Sequence, residues 1–188
     1  MEAARLMAEH GISDYYAAKR KASQQLGAPD TRNMPGNEEI EQALIDYQRL
    51  FQSDQHPRQL RLLREAAVAA MRLLKPFQPR LVGSVLSGTA HAHSEINLHL
   101  FADVAEEVGV FLLAHDIPHE TDARPLRRGQ DLAPELYPLY RFVAGEAVIC
   151  LTIFPVSGLR QAPRSTMDGH AMRRHPLEGV LQLLAQDT

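Results

Sequence analysis

The chain has 188 residues, 45% hydrophobic and 23% charged, with a formal net charge of -3; this length and mix specify a folded protein with a buried core and exclude a disordered or fibrous chain. Slight acidity removes the long-range pull on phosphate that a dedicated nucleic-acid binder shows, so nucleic acid is not an expected partner. The single cysteine, Cys150, excludes an intrachain disulfide framework and a cysteine-based zinc site.

The opening "MEAARLMAEHG" sets acids within a short apolar pattern, unlike a signal peptide, and no apolar run nears the roughly 20 residues that span a bilayer. The expectation is a cytoplasmic chain without membrane contact. "SDYYAAKRKASQQLG" predicts a helix with Ser13 as N-cap, Asp14 at its positive end and Gly27 as its stop. After the break "APDTRNMPGN", Asn37 is the expected cap of "EEIEQALIDYQRLFQ", whose buried face is Ile40, Leu44, Tyr47 and Phe51. Pro57 opens a third helix with the stripe Leu60, Leu63, Ala67, Ala70 and Leu74; Arg58, Arg61, Glu65 and Arg72 take the opposite side, and Pro76 ends it.

After Pro79 the pattern changes. "RLVGSVL" predicts a short strand ending in Gly-Ser, and "SEINLHLFA" a strand with Ile96, Leu98 and Leu100 on one face. "DVAEEVGVFLLAHD" returns to helical spacing with Asp103 as cap, "PHETDARPLRRG" is a loop or edge strand, and "YPLYRFVAGEAVICLTIFP" is a hairpin turning at Ala144, Gly145 and Glu146. A last helix begins at Pro176. Between them "SGLRQAPRSTMDGHAMRRHP" is a basic surface loop carrying Arg160, Arg164, Arg173 and Arg174. The predicted organisation is a helical N-terminal extension over 1–56 and an α/β domain over 57–188.

One local pattern carries chemistry. Leu81, Val82, Gly83 and Ser84 are followed by the spacer 85–94, and then "SEINL" sets Glu95 and Asn97 two positions apart. This resembles the nucleotidyltransferase superfamily of the DNA polymerase beta type, in which an apolar strand and Gly-Ser precede Ser-Asp-Ile-Asp-Leu. The resemblance implies an α+β fold, a nucleotidyltransferase-like mixed β-sheet flanked by helices. It also implies a nucleoside triphosphate held at Gly83 and Ser84 and magnesium held by the two acid positions. Glycine lets a phosphate approach the backbone, and the Ser84 hydroxyl with nearby N–H groups can hold the terminal phosphates. Carboxylates at i and i+2 of a strand point to one face, where they hold the Mg2+ ions that bridge triphosphate and attacking hydroxyl.

Here those positions are altered. Glu95 is one methylene longer than the family's Asp, and Asn97 replaces a full negative charge with an amide. The third strand, "AVICLTIF", carries no acid, and only Glu146 at the hairpin tip stands in. The reading that follows is a nucleotidyltransferase-fold protein that binds a nucleotide or phosphate, or acts in regulation, without ordinary two-metal catalysis. Glu95 and Asn97 are then the altered catalytic positions, and Gly83, Ser84, Arg173 and Arg174 the phosphate-binding set. One alternative is an active metal-dependent nucleotidyltransferase acting on a small molecule or a protein, with Glu95 and Asn97 on one metal and Arg173 or Arg174 closing over the phosphates. Another is an interaction module whose helices, residues 12 to 75, bind a protein partner.

A metal set of His93, Glu95 and His99 can be drawn from strand parity, but histidines in a loop, as His91 and His93 are, ordinarily face solvent. His115 and His119 have no assigned role. Cys150, inside an apolar strand, reads as core filler. No P-loop, dinucleotide fingerprint or nucleophile elbow is present.

Overall fold

A computed structural model describes residues 2–12, 14–27, 34–51, 55–91, 94–127, 133–165 and 170–186. The protein is α+β: a five-stranded mixed sheet flanked by helices, preceded by a helical N-terminus. Among the described residues the helices are α1 (Glu2–His10), α2 (Tyr15–Gln25), α3 (Asn37–Phe51), α4 (Gln55–Leu73), the single turn α5 (Ser84–Ser87), α6 (Glu106–Ala114) and α7 (Leu177–Gln186). The strands are β1 (Arg80–Val82), β2 (Ile96–Phe101), β3 (Glu120–Leu126), β4 (Glu135–Ala144) and β5 (Ala147–Phe154), in the spatial order β1-β2-β5-β4-β3. The central pair β2 and β5 is parallel and every other pairing is antiparallel.

That central pair explains the burial. Ile96, Leu98, Leu100, Ile149 and Leu151 have no exposed surface and pack with Leu63, Ala67, Met71 and Leu74 of α4, Val108 and Leu112 of α6 and Val180 of α7. Each such side chain contributes about 1.5–3 kcal/mol relative to remaining in water. The alternation expected in "SEINLHLFA" holds, but His99 and Phe101 on the other face are buried too. A parallel pair in mid-sheet is covered on both faces. Gly109 of α6 lies against Tyr140, where an added Cβ would stand 3.2 Å from the ring, and the Tyr140 hydroxyl donates to the Ala105 carbonyl at 3.2 Å.

Helices α1 to α3 make their own apolar cluster of Ala3, Ala4, Leu6, Met7, Ala18, Ala22, Ile40 and Leu44. This cluster touches the backbone beyond α5. Gln48 Nε2 of α3 donates to the Thr89 carbonyl at 3.4 Å and the His91 ring lies beside Gly11, while His56 Nε2 of α4 donates to the Ala90 carbonyl at 2.9 Å.

Several local expectations need correction. Asp14 caps α2, its carboxylate accepting from Ala17 N at 2.7 Å, while Ser13 lies outside the described residues. Asn37 is the first residue of α3 rather than its cap; Gly36 precedes it and donates its N–H to Glu39 Oε2 at 2.7 Å, the reach-back half of a capping box. Phe51 is 70% exposed, because α1 and α2 cover only the first turns of α3. The first predicted strand stops at Val82, since Gly83 turns the chain and Ser84 to Ser87 coil into α5. Asp103 does not cap α6; its carboxylate accepts from Val156 N at 3.0 Å and ties the chain beyond β2 to the end of β5. The hairpin turn lies where expected, with Ala144 paired to Ala147.

Arg64 of α4 is buried and donates from Nε to the Val85 carbonyl at 3.2 Å and from Nη2 to the Leu86 carbonyl at 3.3 Å, which fixes the carbonyl end of α5. Arg64→Leu leaves both buried carbonyls without those donors. Urea unfolding of the variant is expected to show a loss of about 1–3 kcal/mol; an unchanged midpoint would mean that α5 is held by its own turn.

Candidate functional site

One face of the sheet is apolar and packs on the helices. The other is polar, and strand register determines which residues share it: Val82, Asn97, Cys150 and Arg141 stand in one row, Arg80, His99, Thr152 and Leu139 in the next. The segment after β5 roofs this face. It starts from Phe154 in mid-sheet, meets one edge where Arg164 N donates to the Arg127 carbonyl at 2.8 Å, and reaches the other where Leu81 and His175 exchange backbone hydrogen bonds of 2.8 and 3.0 Å.

Beside β2 the side chains at the altered acid positions are both occupied. Glu95 Oε1 accepts from Arg141 Nε at 3.2 Å and its Oε2 from the Cys150 thiol at 3.2 Å. Asn97 Oδ1 accepts from Arg124 Nη1 at 3.0 Å, and Asn97 Nδ2 donates to the Glu95 carbonyl at 3.2 Å. One step further, His99 Nδ1 accepts from Arg174 Nε at 2.9 Å. Guanidinium groups from β3, β4 and the roof therefore end on successive inward positions of one strand and its approach.

Arg174 also donates from Nη1 to the Gly158 carbonyl at 2.8 Å and stacks on the rings of Phe101 and Phe154, 5.1 and 4.8 Å from their centroids. Burial, and then the charge of Arg80, pull it down to about 10, so it stays protonated at neutral pH. A guanidinium has no acceptor, which makes Nδ1 of His99 the unprotonated nitrogen and the ring neutral. Burial first, then the charges of Arg174 and Arg124, holds His99 well below the ordinary histidine range. Cys150 is buried on the polar face against Glu95 rather than in the apolar core; burial, with the Glu95 carboxylate, pushes its thiol up and leaves no nucleophile.

Gly83 and Asn97 are brought together. The Gly83 backbone has φ 76 and ψ -157, a region that only glycine adopts readily. An added Cβ would meet Asn97 Nδ2 at 3.7 Å, an ordinary contact, so glycine is required here by backbone conformation and not by crowding. Ser84 begins a helix of four residues and is half-buried. Arg173 is exposed; of the two neighbouring arginines only Arg174 reaches the face. Glu146 is exposed at the hairpin tip. His93 lies outside the described residues.

The donor set does not fit a pair of magnesium ions. Both oxygens of Glu95 and the amide oxygen of Asn97 accept hydrogen bonds, His99 Nδ1 is engaged, and β5 offers a thiol and a hydroxyl where an acid would stand. Among the described residues no group of three or more His, Cys, Asp and Glu side chains is placed to hold a metal ion. No helix among them is long and apolar enough to cross a membrane. The chain matches no family model, no curated protein and no solved structure.

Arg124 and Arg141 were not among the residues singled out from sequence. Arg141 had a signal: with the turn at Gly145, counting back along the hairpin sets it opposite Cys150, on the face of Asn97. Arg124 had none, since its partner is 27 residues away and three strands across.

Two outcomes follow. Because the folded-state pKa of His99 is depressed, the unfolded chain gains a proton below about pH 6.5 that the folded chain refuses. The stability due to neutral His99 is complete above that pH and is lost as pH falls, at a limit of about 1.4 kcal/mol per pH unit. His99→Asn keeps an acceptor for Arg174 and removes the titration, so urea unfolding between pH 7.5 and 5.5 is expected to fall less steeply by up to one proton; His56, also lowered by burial, contributes equally in both proteins. An unchanged slope would show that His99 titrates normally. Gly83→Ala is expected to cost about 1–3 kcal/mol in the same assay from backbone strain alone.

Proposed function

We propose that this chain binds a nucleoside phosphate on the polar face of its sheet, as a binding or regulatory protein on a nucleotidyltransferase-like frame, and does not perform two-metal nucleotidyl transfer. The observation that carries the reading is the pairing of Arg141 with Glu95 and Arg124 with Asn97. At the two positions where that frame would hold cations, the cationic groups are guanidinium side chains of the chain itself. Gly83, beside Asn97, is exposed, so that end of the face meets solvent.

The chemistry available is recognition. Arginine presents planar donors in a fork that matches phosphate oxygens, and it needs no metal to do so. Neutral His99, Asn97 and Thr152 add donors or acceptors along the same rows.

Thermal unfolding with ATP, GTP, CTP or UTP, in EDTA or in magnesium chloride, tests the reading. At least one nucleotide is expected to raise the midpoint in EDTA as much as in magnesium; at a ligand concentration 100 times Kd the gain is about 2.7 kcal/mol. No shift with any nucleotide would overturn the reading. So would magnesium-dependent transfer of labelled nucleotide that Ser84→Ala abolishes.

A further inference from the structure

The two ends of the polar face differ in charge compensation. At the Glu95 end Arg141 has a carboxylate partner at 3.2 Å. At the His99 end Arg80, Arg124 and Arg174 have only neutral acceptors: the carbonyls of Gln78 and Pro79, the Asn97 amide, and the His99 ring with the Gly158 carbonyl. Among the described residues no carboxylate forms an ion pair with any of the three. Asp122, on the same row through β3 and β4, turns its carboxylate to Ala123 N at 2.7 Å. Arg174 Nη2 is buried and has no hydrogen-bond partner.

Like charges gathered under a roof, around a ring that is itself neutral, are a standing cost unless an anion completes them. Arg174 ends on His99, Arg80 is paired across from His99, and Arg124 ends on Asn97 two positions along the same strand face, so the three charges fall within one locality. The Gly83–Ser84 turn offers less: α5 has only four residues, too few to build a helix dipole, and its serine is half-buried.

We infer that Arg124 and Arg174, at the His99 end of β2, directly seat a doubly charged oxyanion, the phosphoryl group of a phosphomonoester or the terminal phosphate of a nucleotide, with no divalent cation between them. This goes further than the reading above by naming the group recognised and its place, and it rests on that reading only in taking the ligand to be a phosphate compound. The phosphate lies under the roof, and the rest of the ligand extends along the face toward Asn97 and Gly83. Filling the site supplies acceptors to donors that now have none or have only neutral ones.

Isothermal titration of the full chain with inorganic phosphate and with ADP, in EDTA and against sodium chloride of matched ionic strength, tests this. Arg124 lies on an edge strand and is partly exposed, so Arg124→Gln is expected to stay folded, as circular dichroism checks. The control is Arg72→Gln, which removes the same charge from the exposed side of α4, a helix packed on the opposite sheet face. The expected result is phosphate binding in EDTA, weakened at least 10-fold by Arg124→Gln, less by Arg124→Lys and not by Arg72→Gln. Absence of phosphate binding overturns the inference, and so does equal weakening by Arg124→Gln and Arg72→Gln. Phosphate bound in this way with ADP no tighter upholds the site and removes the nucleotide reading; ADP bound with Arg124→Gln indifferent does the reverse.

Discussion

Strand β2 is buried on both faces, and one of those faces is polar. An apolar strand meets that condition with side chains alone, but buried His99 must have a hydrogen-bond partner, because a buried polar group without one costs more than the bond returns, and half-buried Asn97 gains from one. The partners come from far along the chain: Arg124 from the edge strand β3 and Arg174 from the roof, while Arg141 of β4 takes Glu95 just before the strand. The roof reaches His99 through Arg174, and β3 reaches Asn97 through Arg124.

The N-terminal helices act on the same region from the other side. Their contacts fall on Thr89 and His91, in the backbone that leads from α5 toward β2, and His56 of α4 holds Ala90 between them. Arg64 holds the carbonyls of α5 from α4. Helices thus hold the chain after Gly83 at several points, and among its described residues before Ile96 the regular structure is the single turn α5. The helical cluster of Ala3, Leu6, Ile40 and Leu44 is separate from the sheet's core, and it touches this segment through the Gln48 hydrogen bond to the Thr89 carbonyl and the approach of Gly11 to the His91 ring.

Where one periodic signal dominates, sequence and structure agree. The stripe Leu60, Leu63, Ala67, Ala70 and Leu74 is buried, and Ile96, Leu98 and Leu100 face the core. The reversal at Gly145 lies where the glycine and its flanking strand formers put it. Disagreement arises where a local signal competes with a distant partner. Asp103 has the right type and place for a helix cap, yet Val156 N takes its carboxylate. Apolar "RLVGSVL" reads as continuous strand, yet the positive φ at Gly83 turns it into a helical turn that Arg64 can reach. Cys150 has the parity of a β5 residue but not, from sequence, its neighbour Glu95, since 55 positions separate them. The three arginine contacts on Glu95, Asn97 and His99 span 46, 27 and 75 positions, and no periodicity encodes pairs at such distances.

What a guanidinium can and cannot do in place of a metal ion sets the chemistry of the face. Both offer positive charge to phosphate oxygens, and the arginine fork adds direction through paired N–H donors. A divalent ion also takes an oxygen into its coordination sphere, polarises the phosphorus and lowers the pKa of a bound hydroxyl until it attacks. Arginine stays protonated and takes no oxygen into a coordination sphere, though its N–H donors also draw charge from a phosphoryl group. Both oxygens of Glu95 are engaged, accepting from Arg141 and from the Cys150 thiol. Under the reading proposed above these guanidinium groups hold a phosphate ligand by direct hydrogen bonds, and contacts made equally in the ground and transition states lower no chemical barrier.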